Sequence, residues 1–178
     1  MPRDVVLHPL PIMGMFYRWS VDLAGPFPLS EYGNYYIMVM IEHFSKWVEV
    51  VTIPTKESCE TSRVFRHYVL CRYGAPTEVR TDLGTEFRGE FQEMLDGALV
   101  DHRRTLRDDP HADGLDERMV QTLKVAIRKA CLTREVSGWE DRLATITMRY
   151  RMSTHESLAH LSRYCLHLAE SRCWTTTF

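Results

Sequence analysis

The sequence predicts an α/β protein built on a mixed five-stranded sheet with helices on both faces. Two observations support this prediction. Short runs rich in apolar and β-branched residues have the length of strands, and longer stretches repeat their apolar residues at helical spacing. They follow one another in the order three strands, helix, strand, helix, strand and then helices. This order is typical of a sheet that is covered on both sides.

Three strands are predicted in the first third of the chain. Phe16–Leu23 forms the first and ends before the Gly-Pro-Phe-Pro run at 25–28, which cannot continue a sheet. Tyr35–Ile41 is apolar at successive positions, which indicates a strand buried on both faces. Trp47–Ile53 is rich in β-branched residues and forms the returning strand. Trp19 and Trp47 are expected to pack in the core.

The middle of the chain alternates helix and strand. Thr55 is expected to cap a helix that runs to about Tyr73, where Gly74 and Pro76 stop it. A short strand, Glu78–Thr81, leads directly to Asp82. A second helix follows, with its apolar positions running from Phe87 to Ala98, and residues 99–105 form the fifth strand.

Two more helices are predicted after a polar loop at 106–112. The first begins at Asp113 and runs to about Leu132, with its apolar residues on one face. The second begins at a capping box formed by Ser137 and Glu140. Its inward positions are Trp139, Leu143, Ile146 and Tyr150.

The overall composition is that of an ordinary globular domain. The 178 residues are 44% apolar and 26% charged, which is enough apolar content for a sizeable core. The net charge is −2, whereas proteins that bind nucleic acid usually have a basic balance. Any contact with nucleic acid must therefore come from a local patch of this chain or from another domain.

The cysteine pattern argues against a disulfide framework or a zinc site. The five cysteines are odd in number and irregular in spacing, and no Cys-x-x-Cys pair occurs. We therefore expect a reduced, intracellular chain. The sequence contains neither a signal peptide nor an apolar run of 18 residues, so no membrane association is expected.

Three acidic residues stand out by their surroundings. Asp22 precedes a Gly-Pro pair, Asp82 opens an Asp-x-Gly-Thr-x-Phe turn, and Glu117 follows Asp-Gly at the start of a predicted helix. Each acid also has an ordinary structural explanation. Asp22 and Asp82 are common turn residues, and an acid in the first turn of a helix complements its dipole. Their joint occurrence makes a shared site the sharper interpretation.

Together these motifs resemble the catalytic core of retroviral integrases and of gypsy-type retrotransposon integrases, over residues 9–160. In that family one Asp ends the first strand, a second opens the Asp-x-Gly turn, and a Glu follows about 35 residues later. The resemblance implies a ribonuclease-H-like fold. It also implies that Asp22, Asp82 and Glu117 are the catalytic residues and the ligands of two Mg²⁺ or Mn²⁺ ions.

The resemblance further implies the reaction and its partners. The chain would trim the 3′ ends of retroelement DNA and join them to target DNA. Gln121, Lys124 and Arg128 lie along the face of the helix that carries Glu117, and they match positions that contact the element's DNA end. A homo-oligomer, and a nuclear location in a eukaryotic host, are expected on the same basis.

The sequence also departs from the family pattern. Family members often have Tyr-His-Pro-Gln where this chain has Asp108-Asp109-Pro110-His111. We therefore predict a lead-in at 1–15, a catalytic core at 16–160 and a divergent tail at 161–178. The zinc-binding module and the basic barrel that usually flank the core are not present in this sequence. Together these differences suggest a partial or decayed copy.

Two alternative functions remain open. The chain could be an inactive ribonuclease-H-like module that serves as an interaction domain or is a genomic relic. It could also be a plain ribonuclease H, which shares the fold and the metals. The Asp-x-Gly-Thr-x-Phe turn and the Asp-Gly before the helix are integrase features and disfavour this second alternative.

Overall fold

The computed structural model describes residues 14–104, 125, 129, 139–154, 158 and 161–166. Within these ranges the chain forms one five-stranded sheet with the strand order β3-β2-β1-β4-β5. The strands are β1 (Arg18–Ala24), β2 (Tyr36–Glu42), β3 (Val48–Ile53), β4 (Glu78–Thr81) and β5 (Asp101–Arg104). Strands β1, β2 and β3 pair antiparallel, whereas β4 pairs parallel with both β1 and β5. The predicted mixed five-stranded sheet is confirmed.

Helical segments accompany the sheet in the described ranges. Helix α1 (Ser58–Phe65) continues through a π-helical turn (Arg66–Leu70) and a last α-turn to Tyr73. Helix α2 (Glu90–Gly97) follows a short 3₁₀ turn, and α3 is Trp139–Met152. No helix in the described part of the chain is long and apolar enough to cross a membrane.

The start of α1 differs from the prediction. Glu57 has an extended backbone and takes the N-cap position in place of Thr55, without a side-chain cap. Ser58, the first helical residue, accepts a hydrogen bond from the Phe91 backbone N–H at 2.9 Å. This tertiary contact accompanies a helix start that is two residues later than local propensity indicates. The predicted capping role of Thr55 is therefore wrong.

Helices lie on both faces of the sheet, as predicted. On one face the core packs sheet residues such as Trp19 and Val79 against Phe65 of α1 and Phe91 of α2. On the opposite face a second core packs Val39 and its neighbours against α3. Strand β2 contributes to both cores, because its successive side chains point to opposite faces.

Helix α3 is attached at one end to the connection between β1 and β2 and at the other end to β3. The Trp139 indole N–H donates to the Pro28 carbonyl at 2.9 Å. The Arg151 guanidinium donates to the Val48 carbonyl at 2.8 Å and to the Glu49 carboxylate at 2.8 Å. All four predicted inward positions of this helix belong to or pack against the second core.

A group of ionised side chains lies on the second face, across β1, β4 and β5. The Glu78 carboxylate is 3% exposed and pairs with Arg18 at 2.8 Å and with Arg80 at 2.7 Å. Arg103 approaches it at 3.3 Å and also pairs with Asp101 at 3.0 Å. Burial by itself raises the pKa of Glu78. The hydrogen bonds and charges of Arg80 and Arg18 outweigh burial and hold the pKa below its ordinary value.

Gly25 directly follows β1, and replacing it measures how tightly the chain packs at that point. Its φ is +134°, and an added Cβ would lie 2.8 Å from the Tyr35 carbonyl oxygen. We expect Gly25→Ala to lower the free energy of unfolding by roughly 3 kcal/mol in a urea titration. Gly33→Ala is the matched control, because Gly33 also has positive φ but no atom within 4 Å of an added Cβ. It should cost about 1 kcal/mol, and equal losses would contradict the packing argument.

The lowered pKa of Glu78 predicts how the free energy of unfolding changes at acidic pH. Because its folded pKa is depressed, Glu78 contributes stability above its unfolded pKa of about 4.3 and loses this contribution as pH falls through the folded pKa. Glu78→Gln should therefore cost roughly 3 kcal/mol at pH 7 and flatten the decline of stability below about pH 4.3.

The matched control is Glu60→Gln, whose partner Arg63 is exposed. This change should cost less than about 1 kcal/mol. Urea titrations between neutral and acidic pH measure both variants. If the free energy of unfolding of Glu78→Gln fell with pH as steeply as that of the parent, the stabilising role given to the Glu78 carboxylate would be contradicted.

Candidate active site

The pairing of β1 with β4 brings the first two candidate acids together. In this parallel ladder Trp19 is opposite Val79 and Ser20 is opposite Arg80. Extended by two residues, the same register sets Asp22 beside Asp82. Neighbouring strands lie about 4.8 Å apart, so the two backbones come within reach of a shared ion.

Both acids belong to the same face of the sheet. Trp19, Val21 and Val79 point into the core formed with α1 and α2. Alternation along β1 therefore directs Asp22 to the opposite face, and the alternation of β4, continued by one residue, would direct Asp82 there as well. This is the face of the second core, and both side chains are half-buried there.

Asp82 opens a tight turn directly after β4. The Gly84 backbone N–H donates to Asp82 Oδ1 at 2.9 Å, which is the local hydrogen bond expected of Asp in an Asp-x-Gly turn. An added Cβ at Gly84 would lie 2.5 Å from the carboxyl carbon of Glu86. The close atoms are all at the end of the Glu86 side chain, so that side chain would have to move if Gly84 were replaced.

Helix α1 supports the chain that follows this turn. The Thr61 hydroxyl donates to the Glu86 carbonyl at 2.7 Å. The Ser58 hydroxyl donates to the Arg88 carbonyl and accepts the Phe91 N–H. Phe87 between these contacts is completely buried. Together these contacts hold both ends of the 85–88 segment against α1.

His102 of β5 contacts the residue that precedes Asp82, and no sequence motif indicated this role. Its Nε2 is 2.9 Å from the hydroxyl oxygen of Thr81, the residue that precedes Asp82. Burial, and after it the positive charge of Arg104, lower the pKa of His102 below its usual value. The only sequence signal was its position in a strand predicted to belong to the same sheet as Thr81.

The remaining candidate residues cannot be placed. Glu117, Gln121, Lys124 and Arg128 lie outside the described residues, and their roles remain predictions. Within the described ranges, no group of three or more His, Cys, Asp or Glu side chains is arranged to hold a metal ion. The candidate site is thus described for Asp22 and Asp82.

The Asp82 carboxylate has a structural role that can be separated from any chemistry. Asn keeps an Oδ1 acceptor for the Gly84 N–H, so Asp82→Asn should leave the free energy of unfolding within about 0.5 kcal/mol of the parent. Asp82→Ala removes the acceptor and should cost about 1 kcal/mol. Urea titration of both variants is the measurement. A large loss in Asp82→Asn would show that its charge stabilises the fold.

Sequence comparison identifies relatives among retroelement proteins. The Gag-Pol polyprotein of Koala retrovirus is 29% identical over 134 residues, covering 75% of this chain and 8% of the polyprotein. A retrovirus-related Pol polyprotein from transposon 412 of Drosophila melanogaster is 28% identical over 151 residues, covering 84% of this chain and 12% of that protein. The chain therefore spans only about a tenth of the length of these curated relatives.

Comparison with solved structures shows the fold. The catalytic core domain of BIV integrase superposes with a TM-score of 0.65 at 17% identity, over 90% of this chain and 99% of that one. The HTLV-2 integrase catalytic core domain in complex with magnesium gives 0.62 at 22% identity, over 85% and 95% of the two chains. The predicted ribonuclease-H-like fold is confirmed.

A sequence model of one family covers more than half of the chain. It describes the integrase core domain and matches residues 14–110. The matched segment includes all five strands of the sheet and both described acids. The relatives and the solved structures point to the same group of proteins. The chain belongs to the integrase core domain family.

Proposed function

We propose that this chain is the catalytic core of a DNA integrase. It acts as a polynucleotidyl transferase that trims the 3′ ends of retroelement DNA and joins them to target DNA. The observation that supports the proposal is the β1–β4 register, which pairs Ser20 with Arg80 and, continued by two residues, would set Asp22 beside Asp82. Membership of the integrase core domain family supports the same class of reaction. Glu117, implied by the resemblance, is the third acid of the proposed site.

The donor set fits divalent ions of the Mg²⁺ type. Mg²⁺ takes oxygen ligands and keeps several waters, so a few carboxylates suffice to hold it. Asp22 and Asp82 supply such oxygens from two adjacent strands. The similar HTLV-2 integrase core was solved in complex with magnesium, which supports the choice of ion. We propose that Asp22, Asp82 and Glu117 together hold two Mg²⁺ or Mn²⁺ ions.

The protein's part in the reaction is to position oxygens. A carboxylate has about four lone-pair sites, and the Gly84 N–H uses one of those on Asp82, so capacity for an ion remains. Asp22 comes from within a paired strand, which holds its backbone rigidly. Two bound ions would activate the attacking oxygen and stabilise the leaving oxygen.

DNA must be held by local contacts, because the chain has a net charge of −2. We propose that Gln121, Lys124 and Arg128 contact the end of the element DNA. We also propose that the chain self-associates, since the solved HTLV-2 core is a trimeric form.

A decayed, inactive copy is the second candidate. The acidic run Asp108-Asp109 stands where the family pattern has Tyr-His, and Asp116 adds a further charge beside Glu117. Surplus acids near bound DNA weaken binding through repulsion. These differences from the family pattern favour a module that retains the fold but does not catalyse the reaction.

The test is a strand-transfer and disintegration assay on a branched DNA substrate, with Mg²⁺ and with Mn²⁺. We expect the full chain to form product with at least one of the two ions. Asp22→Asn and Asp82→Asn should each reduce product at least about a hundredfold, since ligand loss exceeds the 10–100-fold typical of outer-shell changes.

Asp141→Asn is the matched control, because it neutralises an exposed acid at the start of α3. Its activity should equal that of the parent. A folded parent chain that yields no product with either ion would favour the inactive module. Cleavage of an RNA–DNA hybrid in place of the branched substrate would favour a ribonuclease H.

A further inference from the structure

A chain of hydrogen bonds connects helix α2 with the residue before Asp82. Gln92 of α2 presents its Oε1 to His102 Nδ1, and His102 Nε2 is 2.9 Å from the Thr81 hydroxyl oxygen. Thr81 is the last residue of β4 and is 3% exposed. This series of hydrogen bonds therefore ends on the backbone segment from which Asp82 projects.

The direction of each hydrogen bond follows from the partners. The Gln92 amide nitrogen donates to Asp96 Oδ1 at 2.7 Å, so its oxygen faces His102. His102 must then carry its proton on Nδ1, and its Nε2 accepts from the Thr81 hydroxyl. The lowered pKa of His102 agrees with this neutral form.

His102 is itself held in place by its surroundings. Its ring meets the Phe91 ring edge-on, with the centroids 5.8 Å apart. Its backbone is paired with Val79 in the β4–β5 ladder. The imidazole is thus a fixed acceptor, and it selects one orientation of the Thr81 side chain.

Asp82 has a particular need for such support. Strand β4 contains four residues, and the described ladder with β5 ends at Thr81, directly before Asp82. A hydroxyl has one proton, which Thr81 can direct either to His102 or to the Asp82 carbonyl 2.9 Å away. The acceptor at His102 therefore also influences the local hydrogen bonding of Asp82.

We propose that His102 is a positioning residue for Asp82, acting through the Thr81 hydroxyl, and that Gln92 orients its imidazole. The importance of this role for metal binding rests on the proposed function. The positioning itself can be measured without metal or DNA, at the Gly84 N–H that donates to Asp82 Oδ1.

The first measurement is amide hydrogen exchange at Gly84, by NMR, in the metal-free protein. We expect exchange to become roughly tenfold faster in both His102→Ala and Thr81→Val, because the net contribution of one hydrogen bond corresponds to about that factor in a local opening equilibrium. The double variant should match the single ones, because both remove the same hydrogen bond. His102→Gln, which can return an acceptor to Thr81, should restore slow exchange.

His43→Ala is the matched control. His43 also binds a strand hydroxyl, that of Ser20 at 2.6 Å, but this contact lies on β1 and not before Asp82. Exchange at Gly84 should stay within about twofold of the parent in this variant, because sites without shared partners act independently. Equal acceleration in His43→Ala and His102→Ala would mean a general loss of stability and would overturn the proposal.

The second measurement is Mn²⁺ affinity by calorimetry. We expect about a tenfold loss in His102→Ala and its recovery in His102→Gln. Unchanged Gly84 exchange in His102→Ala overturns the positioning role. Faster Gly84 exchange together with a parent chain that binds no Mn²⁺ supports the positioning role and counts against the proposed function. Faster exchange with unchanged Mn²⁺ affinity restricts the role of His102 to the turn and overturns its role in metal binding.

Discussion

The candidate site depends on the parallel pairing of β1 with β4. In the sequence, β2, β3 and α1 lie between Asp22 and Asp82. The ladder brings β1, which carries Asp22, beside β4, which leads to Asp82. The pairing of Ser20 with Arg80 sets a register that, continued by two residues, would put the two acids side by side. A shift of one residue would turn one of them to the opposite face of the sheet, since side chains alternate.

The buried side chains enforce this register. Trp19 and Val79 are paired across the ladder, and both are completely buried in the core shared with α1 and α2. On the other face, Glu78 of β4 pairs with Arg18 across the same two strands and with Arg80 within β4. A slipped register would expose apolar area and leave buried charges without partners, and both changes are costly.

The turn after β4 receives its geometry from contacts with hydroxyl groups. Ser58 and Thr61 of α1 donate to backbone carbonyls of the segment that follows Asp82. Thr81 directly before Asp82 contacts His102. Hydroxyl side chains on α1 and β4 thus contact either side of one short loop. Such contacts suit a position where a carboxylate must be held accurately at the end of a strand.

The sequence alone determined the succession of strands and helices along the chain, the mixed sheet and the candidate acids, because these depend on local periodicity and on a motif read along the chain. Trp19 and Trp47 were correctly expected in the core. The start of α1 was not predictable, since Ser58 rather than Thr55 meets the distant segment at Arg88 and Phe91. The role of His102 was equally hidden, because it is 21 residues from Thr81 in sequence and meets it only across the β4–β5 pair. Tertiary structure alone decided these features, because they depend on contacts between elements that no local pattern encodes.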